Sequence, residues 1–148
     1  MKGLVIAALA ASIALPALAE DVVRIEASGA VNEVMDRLET AVEGAGATIF
    51  ARVDHGAGAE SVGTPVGASE LLVFGNPALG TPAIEADPLA ALYLPLKVLA
   101  YEDAGGKVWL AYEDPKETFD ELEIDDDAEF IGKMQGALGK LTAAAAGG

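Results

Sequence analysis

"LKVLAYEDAGGKVWLAYED", residues 96–114, decides the fold class. It contains two β-rich runs that flank Ala104, Gly105 and Gly106. Two such runs around a glycine-containing turn predict a β-hairpin. Strands that follow one another directly along a chain favour an antiparallel sheet.

Further strands and two amphipathic helices precede and follow this hairpin. Strands are predicted at residues 22–27, 47–55 and 69–76, and the last of these is apolar on both faces, as an internal strand would be. Apolar residues recur at helical spacing over 31–45 and 130–141. The order β-α-β-β-β-β-α predicts one α+β two-layer domain with a mostly antiparallel sheet of about five strands and both helices on one face.

Several local features are expected within this plan. Ser28 is a candidate cap for the first helix. In the strand over 47–55, alternation places Ile49, Ala51 and Val53 on one side. The small-residue segment 142–148 is expected to fray. Short helical turns are expected at 57–62, 78–85 and 88–92.

Composition limits the classes of function. The 148 residues carry a formal net charge of −15, and such an acidic surface disfavours nucleic acid as a partner. The chain has no cysteine and one histidine, which excludes disulfides, thiolate sites and sites with several histidine ligands. No nucleotide, flavin or zinc-protease motif occurs, so neither a cofactor nor a metal is expected.

The N terminus resembles a secretory leader. Lys2 precedes an apolar run over residues 4–15, and Pro16 and a small-x-small triplet ending at Ala19 follow. We expect cleavage after Ala19, leaving residues 20–148 as a single domain with a formal charge of −16, because Lys2 is lost. The sequence therefore predicts a periplasmic or secreted protein without a membrane anchor after processing.

Four sequence blocks carry a family resemblance: "GATIFARVDHGAGAESVG", "ELLVFGNPALGTP", "LPLKVLAYED" and "GKVWLAYEDP". In this order they resemble the domain-of-unknown-function 302 family of bacteria and archaea, over about residues 23–141. The resemblance implies the β-α-β-β-β-β-α fold, described as TBP-like. It implies no established activity.

Gly75 and Asn76 end the apolar strand over 69–76, directly before Pro77. Pro77 favours an extended backbone at Asn76, and Gly75 permits a close approach. One interpretation is a turn in which the Asn76 side chain bonds nearby backbone. The other is an amide that faces a ligand at the strand end.

His55 ends the second strand and is the only side chain with an ordinary pKa near neutrality. It is either a surface histidine or the candidate catalytic acid or base. Lys97, on the fourth strand, is either a surface lysine or a group that attracts a ligand carboxylate. If the ends of the three strands meet, His55, Gly75, Asn76 and Lys97 would bind a small anion.

Phe50, Tyr101 and Trp109 are aromatic residues at positions expected on the open face of the sheet. Exposed aromatic surface of this kind is typical of a homodimer interface or a ligand platform. Alternatively, the segment 77–95 folds over them.

Two classes of function follow from these observations. The first is an exported small-ligand-binding or interaction module without catalytic activity. The second is a small enzyme that uses His55 as general acid or base on a small anionic substrate.

Overall fold

The computed structural model describes residues 21–147, so the predicted leader, residues 1–19, lies outside the described residues. Five strands form one sheet in the order β1-β5-β4-β3-β2, and every neighbouring pair is antiparallel. The strands are β1 (Val22–Ala27), β2 (Thr48–Asp54), β3 (Ser69–Gly75), β4 (Leu96–Glu102) and β5 (Val108–Glu113). The hairpin predicted over residues 96–114 is the β4–β5 pair.

Two long helices and several short ones lie between the strands or follow the last of them. The helices are α1 (Val31–Gly44), α2 (His55–Ser61), α3 (Pro77–Ala86), a 3-10 helix (Pro88–Leu92), α4 (Pro115–Thr118) and α5 (Glu129–Ala146). α1 and α5 contact each other and pack on one face of the sheet. The predicted α+β architecture, with both long helices on one face, is confirmed.

The main core lies between this helix layer and the sheet. Leu72 and Phe74 of β3 meet Leu38 of α1 and Leu138 of α5, and none of the four is more than 2% exposed. Burying a side chain of this size stabilises the fold by about 1.5–3 kcal/mol. The strand alternation and the helical spacing read from the sequence therefore converge on one apolar layer.

Residues 142–146 form the last turns of α5, so the prediction that the segment 142–148 frays is wrong for these residues. Ala145 is fully buried, and its carbonyl oxygen accepts a hydrogen bond from Arg37 Nε at 2.8 Å. The Ser28 backbone N–H donates to the Ala146 carbonyl oxygen at 2.9 Å. These long-range donors satisfy carbonyl groups that the last helical turn leaves without partners.

The start of α1 also differs from the expectation that Ser28 caps it. The N-cap residue is Ala30, and its backbone N–H donates to Glu33 Oε2 at 3.0 Å. The Ser28 carbonyl oxygen instead accepts a hydrogen bond from Arg37 Nη2 at 2.5 Å. The Ser28 backbone therefore bonds to a residue of each long helix, Arg37 of α1 and Ala146 of α5.

A β-bulge at Phe50 corrects the predicted alternation of β2. Ile49 is opposite Phe74, whereas Ala51 is already opposite Val73, so the register shifts between them. Ile49 therefore packs on the helix layer while Ala51 lies on the other face. Phe50 is the extra residue and is 59% exposed.

One face of the sheet carries neither α1 nor α5, and we call it the open face. Its cross-strand positions include Arg24, Val53, Leu71, Leu99, Tyr101, Trp109 and Ala111. Val53 remains 37% exposed on this face. Coverage of this face by a second copy of the chain stays a prediction.

The alternative cover, the segment 77–95, does not lie over Tyr101 and Trp109, so that interpretation is wrong for these two residues, although Phe50 shares a cleft with this segment. Ala83 and Ala90 are fully buried in a second apolar cluster with Phe119 and Met134, beside α5. The alanine side chains fit closely against this cluster, which holds α3 and the 3-10 helix on the helix side of the sheet.

Candidate functional site

A cleft of about 270 Å³ opens where β3 ends and β4 begins, and we call it the Asn76 cleft. Its polar lining side chains in the described part of the chain are Asn76 and Thr81, and none is charged. Apolar side chains form most of its wall: Phe50, Leu79, Ile84, Leu94, Leu96 and Met134. A pocket of this composition suits an apolar molecule with few polar atoms.

Asn76 is positioned by its place between strand and helix. Pro77 follows it, and its backbone is extended, with φ −134° and ψ 122°. Its Oδ1 accepts the Ala78 backbone N–H at 2.9 Å and caps α3. The turn interpretation of Asn76 therefore describes this contact. Within residues 21–147 the Asn76 amide NH₂ makes no hydrogen bond, which leaves two donors at the cleft.

Gly75 keeps the cleft open. A Cβ atom at this position would lie 3.4 Å from Pro95 Cβ and 3.5 Å from Phe50 Cε2. Both neighbours line the cleft, so a larger side chain at Gly75 would occupy its volume. The role of Gly75 is thus steric, since it contributes space.

Lys97 lies beside the Asn76 cleft but does not line it. Its Nζ donates to the carbonyl oxygens of Tyr93, at 3.1 Å, and Pro95, at 3.3 Å. It lines a neighbouring cavity of about 380 Å³, and Leu96 belongs to the walls of both. The structure therefore brings Lys97 near Asn76, but its ammonium group donates to backbone carbonyl oxygens and Lys97 lines the neighbouring cavity.

The neighbouring cavity also contains a tyrosine with a perturbed pKa. Burial, followed by the nearby Asp114 carboxylate, raises the pKa of Tyr112 above its ordinary value. The phenol is therefore neutral at physiological pH and can donate a hydrogen bond.

His55 does not join these residues, and the predicted convergence of the three strand ends is wrong. Asp54, the last residue of β2, is opposite Glu70 at the start of β3, whereas Gly75 at the end of β3 is opposite Thr48. His55 therefore lies about 20 Å from the Asn76 end, one strand length away. It is exposed at the first position of α2, which Asp54 caps through the Ala57 backbone N–H.

The sequence interpretation missed most of the apolar wall. Leu79 and Ile84 come from α3, which forms despite Pro82 in its interior. Phe50 reaches the cleft from the bulge of β2. The apolar residues of the segment 77–95 were the available signal, although nothing local indicated which side of the sheet they would line.

The cleft offers binding contacts and no group suited to proton transfer. Its lining contains no carboxylate, imidazole or amine within the described residues. Across residues 21–147, no group of three or more His, Asp or Glu side chains is arranged to hold a metal ion.

Comparison with known families agrees with this fold. The model of the family described as "Domain of unknown function DUF302" matches residues 23–141. The chain belongs to the DUF302 family. A crystal structure of an uncharacterized conserved DUF302 protein from Bacillus stearothermophilus covers 86% of this DUF302 chain with a TM-score of 0.78. The match includes 99% of that protein at 16% identity, and it shows a shared fold.

This DUF302 chain is also similar to part of larger proteins. It is 41% identical over 93 residues to the fluoride-specific ion channel FluC 1 of Brucella suis and, equally, to FluC 1 of Brucella abortus. The match includes 63% of this chain but 37% and 34% of those relatives, so the chain spans about a third of their length. No helix within residues 21–147 is long and apolar enough to cross a membrane.

Proposed function

We propose that this DUF302 protein is an exported, non-catalytic module that binds a small, mostly apolar ligand in the Asn76 cleft. The observation that carries the proposal is a mostly apolar wall, with Thr81 and Asn76 as its polar side chains, in which the Asn76 NH₂ has no partner within residues 21–147. Such a site recognises an apolar body by burial and a single acceptor by a hydrogen bond. A neutral aromatic ketone or ester is a ligand of this class.

A neutral ligand fits this cleft better than the small anion expected from the sequence. Lys97, the cation expected from the sequence to bind the anion, donates to two backbone carbonyl oxygens and lines the neighbouring cavity. A charged ligand in the Asn76 cleft would lose its hydration without gaining a counter-ion, and burying an unpaired charge is costly.

The enzymatic alternative depends on His55, which remains the candidate acid or base. His55 is exposed and lies at the other end of the sheet from the cleft. An acid–base group must come within hydrogen-bond reach of the substrate, so His55 cannot act on a molecule in the Asn76 cleft. This separation favours the binding module over the enzyme.

Export is the second part of the proposal and rests on the leader pattern of residues 1–19. N-terminal sequencing of the exported protein should begin at Glu20, and retention of Met1 in that fraction would refute processing. Fluoride conduction, named for the Brucella channels, is not part of the proposal, because the chain spans about a third of their length.

The binding proposal is tested with a neutral fluorescent ketone, 6-acetyl-2-dimethylaminonaphthalene. Its emission should increase and shift to the blue when it enters the cleft of the wild-type protein. Gly75→Val should abolish the change, because the new side chain occupies space beside Pro95 and Phe50.

Gly58→Val is the matched control, because a Cβ atom at Gly58 meets no other atom within 4 Å and α2 lies at the opposite end of the sheet. This variant should bind the probe as the wild type does. Equal binding by the Gly75→Val protein, with its circular dichroism unchanged, would show that the probe binds elsewhere and would overturn the proposal.

A further inference from the structure

Arg24 occupies an unusual position on the open face, separate from the Asn76 cleft. It lies within the edge strand β1, opposite Ala111 of β5. Its guanidinium carbon is 4.6 Å from the centroid of the Trp109 ring and 5.5 Å from that of Tyr101. Both distances are in the range of cation–π contacts, so two aromatic rings hold the guanidinium in place.

The aromatic partner is itself fixed. Trp109 Nε1 donates to Asp103 Oδ2 at 2.8 Å. Asp103 Oδ1 also accepts the backbone N–H groups of Gly105, at 2.8 Å, and Lys107, at 3.0 Å. The Asp103 carboxylate therefore accepts hydrogen bonds from the Trp109 ring and from two backbone N–H groups of the hairpin turn.

Arg24 differs from the other arginines in lacking a partner. Arg37 donates to two backbone carbonyl oxygens, and Arg52 forms ion pairs with Asp36 and Glu70. Arg24 makes no hydrogen bond or ion pair within residues 21–147, and its Nε is buried without an acceptor. This is notable in a chain with 24 acidic residues.

A second cation near the Trp109 ring, Lys107, has an acidic ion-pair partner. Lys107 Nζ lies 5.8 Å from the centroid of the Trp109 ring and is 3.0 Å from Glu26 Oε2. Glu26 thus forms an ion pair with Lys107, whereas Arg24 forms no ion pair within residues 21–147. Stacking on the rings and burial of Nε have already removed part of the water from the guanidinium, which strengthens an ion pair with an incoming anion.

The cross-strand row that begins at Arg24 is otherwise apolar. Along the same cross-strand row, Arg24 is followed by Ala111, Leu99, Leu71 and Val53. Neighbouring strands are about 4.8 Å apart, so this row extends about 19 Å from the backbone of Arg24 to that of Val53. An apolar chain that starts at Arg24 can therefore lie across several further strands.

We propose that Arg24 binds the carboxylate of an aliphatic organic acid whose hydrocarbon chain lies on this apolar row. The two Nη groups, which are not among the buried unpaired atoms, form the fork that matches the two oxygens of a carboxylate. Ala111 and Leu99 then contact the first carbon atoms of the chain. This site is independent of the Asn76 cleft and of the function proposed for it.

The test is a titration with sodium octanoate, followed by the fluorescence of Trp109, the only tryptophan. Octanoate should change the emission with saturation, because the carboxylate binds the cation stacked on the indole. Arg24→Gln should weaken binding at least tenfold. Arg24→Lys should also weaken it, since an ammonium retains the charge without the fork.

Lys107→Gln is the matched control, because it removes the other cation near the same ring and should leave octanoate binding within twofold of wild type. The neutral alcohol 1-octanol should bind at least tenfold more weakly than octanoate. Gly75→Val should bind octanoate normally, which separates this site from the Asn76 cleft.

Three results would overturn the proposal. One is equal octanoate affinity of folded Arg24→Gln protein, verified by circular dichroism. Another is octanol binding as tight as that of octanoate. The third is an Arg24-dependent emission change on dilution without octanoate, which would assign Arg24 to a carboxylate of a second copy of the chain.

Discussion

Substitutions of Asn76 separate the two tasks that its amide performs. The Oδ1 atom caps α3 by accepting the Ala78 N–H, while the NH₂ group is available to a ligand in the cleft. Asn76→Asp retains an acceptor for the cap and removes the donor. Asn76→Ala removes both. The two variants are therefore matched, differing mainly in whether the cap is kept.

The structure sets the size of each effect. Loss of an N-cap side chain costs about 1 kcal/mol of unfolding free energy, within a range of about 0.5–2 kcal/mol. The carboxylate introduced by Asn76→Asp should be neutral to slightly stabilising, because negative charge near a helix N-terminus contributes about 0.3–1 kcal/mol. We therefore expect Asn76→Ala to be about 1 kcal/mol less stable than wild type, and Asn76→Asp to be at least as stable as wild type.

Urea unfolding followed by circular dichroism measures stability, and 6-acetyl-2-dimethylaminonaphthalene measures binding. Both variants should lose most of the probe binding, since neither donates a hydrogen bond from this position. A loss of stability in Asn76→Asp as large as that in Asn76→Ala would refute the capping argument. Wild-type binding by folded Asn76→Asp protein would refute the role of the amide as donor.

Three further predictions concern stability and pH. Glu70→Gln should lower the unfolding free energy in urea by about 1–3 kcal/mol, because the buried Glu70 carboxylate accepts a hydrogen bond from Arg52 Nε at 2.5 Å. The Glu39 carboxylate is 3.5 Å from Arg52, so Glu39→Gln should cost about 1 kcal/mol or less. Hydrogen bonds from Trp109 and from the Lys107 N–H lower the pKa of Asp103, so its stabilisation is present above the unfolded pKa of about 3.9 and is lost as pH falls through the lower folded pKa. Acid unfolding of Asp103→Asn should lack this contribution, and an unchanged dependence on pH would contradict the assignment. Deleting residues 142–148 should cost at least about 2 kcal/mol in urea through the lost contacts of Ser28 and Arg37, whereas deleting residues 147–148 should cost little.

Periodicity was sufficient to predict the sheet and its two long helices. The alternation of apolar residues in strands and their helical spacing both indicate which side chains are buried. Features that depend on distant partners were not accessible in this way. The bulge at Phe50 reverses the faces of β2 without any glycine or proline to mark it. The last turn of α5 is held by Arg37 and Ser28, more than 100 residues earlier in the chain. A run of alanines gives no local sign of such contacts.

The candidate site was predictable in one respect and not in another. Gly75, Asn76 and Pro77 marked a strand end with an available amide from sequence alone, and this is where the Asn76 cleft lies. The wall of the cleft depends on how α3 packs against α5, through contacts such as that of Ala83 in the second apolar cluster. That packing is tertiary, so the sequence alone could not predict which side chains line the cleft. The sequence predicted an anionic ligand, whereas the lining contains no charged side chain within the described residues.

The position of His55 follows from topology alone. Consecutive antiparallel strands run in opposite directions, so the end of β2 and the end of β3 lie at opposite edges of the sheet. The end of β3 lies beside the start of β4, which explains why Asn76 and Lys97 are neighbours while His55 is not. Among the strand ends, a site at the Asn76 edge can therefore draw on the starts of β1, β2 and β4 and the ends of β3 and β5. His55 follows the end of β2, which lies at the opposite edge of the sheet. Any chemistry that His55 performs therefore needs a separate site at that edge.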